Sequence, residues 1–62
     1  MKTTVNTDVK MPKKVMEALT HFEFYCIGNR KEDTTEDEVR SFLMEHYGQK
    51  VADQFKTEFL YQ

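Results

Sequence analysis

Sixty-two residues carry nine Lys and Arg against eleven Asp and Glu, a net charge of −2, with 39% hydrophobic and 32% charged residues. A chain of that length makes one domain at most and buries only ~60% of its unfolded surface, so a second copy is an expected source of stability. The balance excludes a disordered or low-complexity chain, no run approaches the ~20 apolar residues of a membrane span, and Met1 to Asn6 lacks the apolar core of a secretory signal.

Residues Thr4 to Met11 alternate, with Val5, Thr7, Val9 and Met11 on one side and Thr4, Asn6, Asp8 and Lys10 on the other. Period two with β-branched residues predicts a half-buried strand over about 4–11. Pro12 stops that strand and suits the first position of a helix, where its missing N–H is not needed. From there Val15, Met16, Leu19, Phe22, Cys26 and Ile27 fall on helical spacing, and Gly28-Asn29 offers a left-handed cap, so a helix is expected over about 12–27. His21 to Ile27 also has the β propensity of a strand, and both readings stand at this point.

Asn29 to Thr34 is polar and reads as a loop. Thr35-Glu36-Asp37-Glu38 fits the S/T-x-x-E capping box and opens a second helix over about 36–47, with Val39, Phe42, Leu43 and His46 as its stripe, Tyr47 at the margin and Gly48 as its stop. Val51, Ala52, Phe55 and Phe59 predict a third helix over about 50–60, unless Gly48 is tolerated and the two fuse. The fold class is mainly α: an N-terminal strand followed by two or three helices in a single domain, 1–62.

Chemistry-bearing patterns are few. Ser41 and the threonines have no recognisable base partner, and Cys26, on the apolar stripe, is a small core residue with no cation spaced to activate it. With no second cysteine for an internal disulfide, a reducing, cytoplasmic location is expected. Glu17 and His21 stand at i, i+4, yet no second ligand pair completes a metal site. No enzyme activity, cofactor or metal is expected. Charge, in contrast, is strongly segregated. Lys2, Lys10, Lys13 and Lys14 against Asp8 give residues 1–14 a charge of +3, whereas Glu32, Asp33, Glu36, Asp37 and Glu38 give residues 32–38 a charge of −5.

The run Val9-Lys10-Met11-Pro12-Lys13-Lys14-Val15-Met16-Glu17-Ala18-Leu19 resembles the start of the ribbon-helix-helix family, the Arc-repressor-like DNA-binding proteins, and Thr35-Glu36-Asp37-Glu38-Val39-Arg40 is similar to the start of that family's second helix. The resemblance covers about residues 4–48. It implies an intertwined homodimer in which two copies of the strand form an antiparallel ribbon, and a small transcriptional regulator that reads the major groove of double-stranded DNA. On that reading Thr4, Asn6, Asp8 and Lys10 face base edges, Lys2 and Lys13 approach phosphates, and Thr35 marks the helix terminus at which the family anchors phosphate. Five carboxylates around that terminus depart from the pattern, because they repel phosphate there. The alternative is a monomeric three-helix bundle with a flexible N-terminal arm, a small interaction module or inhibitor that meets a basic partner surface through Glu32, Asp33, Glu36, Asp37 and Glu38. A third reading, an antitoxin-like module, joins the ribbon to a C-terminal helix that docks a protein partner.

Overall fold

A computed structural model describes residues 1–62 as three helices, α1 (Lys13–Gly28), α2 (Glu36–Tyr47) and α3 (Gln49–Gln54), and a closing 3-10 turn at Thr57–Phe59. Fourteen buried apolar residues, contributed by all four elements and by Val5, Phe55 and Leu60, make one core.

Helix α1 starts where Pro12 allows it: Pro12 sits at φ −57° and ψ 144°, and its carbonyl accepts the first helical bond from Met16 N at 3.0 Å. Val15, Ala18, Leu19, Phe22 and Cys26 are buried at i, i+3, i+4, i+7 and i+11. The stretch His21 to Ile27 is helix, not strand, and the burial pattern gives the reason. Only Phe22 and Cys26 turn inward, one helical turn apart, while Phe24 and Ile27 are 67% and 61% exposed. Met16 and Ile27, expected on the buried stripe, lie outside it.

The end of α1 also differs from expectation. Arg30, at φ 55°, is the left-handed residue, in place of Gly28-Asn29. Arg30 N donates to Ile27 O at 3.1 Å and Lys31 N to Cys26 O at 2.8 Å, the paired bonds of a Schellman closure. A non-glycine residue is held in this conformation by those two bonds.

Helix α2 runs as its capping signals predict. Thr35 Oγ1 accepts from Glu38 N at 3.2 Å, and Val39, Phe42 and Leu43 are buried. His46, expected on the stripe, is exposed. Gly48 N donates to both Leu43 O and Met44 O at 3.1 Å, and Gly48 adopts φ 93°, a backbone state L side chains rarely adopt. The chain therefore turns at Gly48, and α2 and α3 stay separate.

Helix α3 covers only Gln49–Gln54, well short of residue 60. Its last carbonyls are taken by a side chain from α2: Arg40 donates to Ala52 O at 2.6 Å and to Phe55 O at 3.0 Å. Beyond Phe55 the chain leaves the helix, so that residues 59–61 can run beside the N-terminal segment. Sequence periodicity at 51, 52, 55 and 59 fits a continuing helix, but tertiary hydrogen bonds favour the break.

That N-terminal segment is the largest correction. No β-strand forms over 4–11, and the chain makes only two isolated antiparallel bridges, Lys2 with Asp33 and Val5 with Leu60. The alternation holds through Thr3 and Val5, both buried, and then fails at an Asx turn: Asn6 Oδ1 accepts from Asp8 N at 3.0 Å, which turns Thr7 out into solvent. Val9 and Met11 return to pack, partly buried, against the core. Nor is the segment a free arm. Lys2 N donates to Tyr61 O at 2.7 Å, Tyr61 N to Thr4 O at 3.1 Å, Asn6 N to Phe59 O at 2.8 Å, and Thr34 N to Met1 O at 2.9 Å. Val5 N, facing α1, donates to the Glu23 carboxylate at 2.8 Å. Burial of Val5 adds on the order of 1.5 kcal/mol to this closure.

Candidate functional site

Crossing of α1 over α2 leaves an open groove of about 530 Å³ on one side of the molecule. Its floor is aromatic. Phe22 and Tyr25 come from α1 and Phe42 from α2, with Phe22 and Phe42 rings edge to face at 5.1 Å and Tyr25 tilted 42° to Phe42 at 5.3 Å. Phe22 and Phe42 are buried core residues, whereas Tyr25 is 49% exposed.

The rim is acidic. Asp37, Ser41 and Glu45 follow one another at i, i+4 and i+8 along α2, so helical geometry places them in one row, with Glu38 beside them. Lys31, delivered by the closure that ends α1, reaches across and pairs with Glu38 at 2.7 Å. The hydrogen bond from the Lys31 ammonium holds the Glu38 carboxyl below the usual carboxylate range, with the Thr35 hydroxyl assisting, and the same bond raises the Lys31 ammonium above its ordinary value. Three carboxylates against one ammonium leave the groove with a formal charge of −2.

Beyond the groove the aromatic row continues. Phe42 lies 4.2 Å from His46 between ring centres, His21 stands 5.0 Å from Phe42 and 5.2 Å from His46, and His21 Nδ1 is 2.9 Å from the Tyr47 hydroxyl. These contacts fasten the outer edges of α1 and α2 together. No three His, Cys, Asp or Glu side chains converge as metal ligands. Cys26 is fully buried, and that burial pushes its thiol up, away from the thiolate.

The five acidic residues expected to act together are divided by the fold. Asp37 and Glu38 enter the groove. Glu36 is held by Arg40, with Arg40 Nε donating to its carboxylate at 2.9 Å. Asp33 bridges to Lys2 through the backbone, and Glu32 lines a separate hollow that includes Thr4, Ile27 and Arg30. Tyr25, Phe42, Ser41 and Glu45 were not expected at a site. The i, i+4, i+8 spacing of Asp37, Ser41 and Glu45 is the signal that could have found three of the groove's residues.

Residues expected to face DNA do not form a row. Lys2, Thr4, Asp8, Lys10 and Lys13 are exposed, but the turn at Asn6 to Asp8 separates the first two from the rest. Asn6 has both ends of its amide engaged, donating from Nδ2 to Glu58 O at 3.3 Å and accepting from Asp8 N. Thr35 is committed to capping α2, beside Glu36, Asp37 and Glu38 in the first turn. No helix is long and apolar enough to cross a membrane. Comparison with known protein families, characterised proteins and solved structures yields no match.

Proposed function

We propose that this chain is a small protein-interaction module that binds a basic segment of a partner protein in the groove between α1 and α2. The observation that carries this reading is the pairing, in one groove, of the half-exposed Tyr25 ring with the carboxylates of Asp37, Glu38 and Glu45. Interface cores favour exposed aromatic side chains, and an acidic rim draws a basic partner and sets its orientation. The partner works in the cytoplasm, where Cys26 stays a thiol.

An NMR titration tests the reading. A short lysine- and arginine-containing peptide at low salt is expected to shift the amide signals of Tyr25, Asp37, Ser41 and Glu45 and to lose affinity at ~150 mM salt, where rim charges are screened. An acidic control peptide giving the same shifts, or a basic peptide giving none, would overturn it.

A second reading keeps the DNA-binding homodimer. It is supported by the exposed lysines Lys2, Lys10, Lys13 and Lys14 at the basic end of the chain. It requires the backbone groups of Lys2, Thr4 and Asn6 to leave Phe59 and Tyr61 and pair with another copy. Duplex binding that weakens steeply between ~50 and ~200 mM salt, together with a dimeric solution mass, is its expected signature.

A further inference from the structure

The acidic groove has chemistry specific enough to name the group it receives, an inference that rests on the interaction reading above. We infer that the groove seats an arginine side chain of the partner, its guanidinium stacked on Tyr25 and hydrogen-bonded to a rim carboxylate, and that Lys31 is a tethered competitor for the same acceptors.

Three observations converge on this. Tyr25 lines the groove half-exposed, packed against Phe42 at 5.3 Å and stacked on Phe22 at 6.4 Å between ring centres, so a flat cation entering the groove meets aromatic surface that is already held in place. Asp37 and Glu45 line the same groove without an ion-pair partner, while Glu38 alone is matched by Lys31. The molecule also contains an internal example of the chemistry: the Arg40 guanidinium lies 5.4 Å from the Phe55 ring centre while bonded to the Glu36 carboxylate. A planar guanidinium can stack on a ring and bond a carboxylate in its own plane at once. A lysine ammonium, compact and strongly hydrated, cannot do both equally well.

Lys31 gives the inference its sharpest consequence. Its ammonium occupies Glu38 at 2.7 Å and adds positive charge to a groove that must accept a cation. Removal of that charge frees Glu38 and favours the incoming arginine.

The test uses the full chain and three synthetic peptides of one sequence, carrying arginine, lysine or the neutral isostere citrulline at two positions one helical turn apart. Binding is followed by NMR shifts at Tyr25 and Ser41 and by fluorescence of a labelled peptide. The arginine peptide is expected to bind more tightly than the lysine peptide and far more tightly than the citrulline peptide. Tyr25→Leu, which keeps an apolar side chain but no ring, is expected to weaken arginine binding about three- to tenfold. Lys31→Gln is expected to strengthen it by a similar factor, on the order of one unpaired charge near the surface. Both positions are on the surface, and melting curves confirm that the variants stay folded. If arginine and lysine peptides bind equally in the groove and Tyr25→Leu changes nothing, the arginine assignment fails while the interaction reading stands. If Lys31→Gln weakens binding, the competitor role fails. If no basic peptide shifts groove residues, both readings fail together.

Discussion

Arg40 offers the most quantitative check on how this small chain holds its C-terminal third in place. Replacement by methionine keeps the length of the stem and removes the guanidinium. Lost with it are the bonds to Ala52 O at 2.6 Å and Phe55 O at 3.0 Å, the paired contacts to Glu36 at 2.8 and 2.9 Å, and the stacking on Phe55. Hydrogen bonds to charged groups contribute ~1.5 to 3 kcal/mol each when shielded. The Arg40 side chain is 36% exposed, so water replaces part of each bond and about 1 kcal/mol apiece is the appropriate value. The i, i+4 pair with Glu36 adds ~0.3 to 0.5 kcal/mol. The expected loss is ~2 to 3 kcal/mol, against ~3 to 9 kcal/mol of total stability for a domain of this size. At ~4 to 8 °C per kcal/mol, the melting temperature followed by circular dichroism falls by ~8 to 24 °C. Glu36→Gln, which leaves the two carbonyl bonds intact, lowers it by only a few degrees. Melting of Arg40→Met within ~2 °C of the wild type would refute the assignment of Arg40 as the clamp on α3.

The left-handed Arg30 predicts a stabilising change: Arg30→Gly removes ~1 to 2 kcal/mol of backbone strain and adds back some unfolded-state entropy, for a net gain of ~0.5 to 1 kcal/mol in chemical denaturation. A loss of stability there would show that the Arg30 side chain matters more than its backbone. Carbon-detected titration should place the Glu38 midpoint below the usual carboxylate range, chiefly because of the hydrogen bond from Lys31. A carboxyl depressed on folding stabilises the protein above its unfolded value of ~4.3, and that stabilisation is lost as pH falls through the folded value. In Lys31→Gln the Glu38 midpoint should rise, and an unchanged midpoint would assign the shift elsewhere. Cys26, buried with its thiol pushed up, should react with iodoacetamide at pH 8 far more slowly in the native protein than in urea; equal rates would mean that α1 opens readily.

Much of the helical framework was legible because its signals are local. Pro12 and the 3.6-residue period gave the start of α1 and four of its five buried residues, Val15, Leu19, Phe22 and Cys26, and Thr35 with Gly48 bracketed α2, all from near neighbours in the chain. Misreadings came from contacts between distant residues. The alternation of Thr4 to Met11 reads as a strand, but Asn6 instead caps a turn and is bonded to Glu58 and Phe59, more than fifty positions away. Helix α3 stops early because Arg40 reaches its carbonyls from another helix, which periodicity cannot register. The five carboxylates looked like one patch because they are neighbours in sequence. Glu32 and Asp33 lie in the loop before α2 and Glu36 is taken by Arg40, so only Asp37 and Glu38 reach the groove, joined by Glu45 from two turns further along.

Closure of the N-terminal segment on the tail of its own chain is the feature on which the rest depends, since it completes the core within one molecule and leaves the α1–α2 groove open. A mixed sample of isotope-labelled and unlabelled protein tests it directly through filtered NMR contacts between the methyl groups of Val5 and Leu60. The account predicts contacts within labelled chains only. Contacts between a labelled and an unlabelled chain would show that the segment is exchanged between copies, and would contradict it.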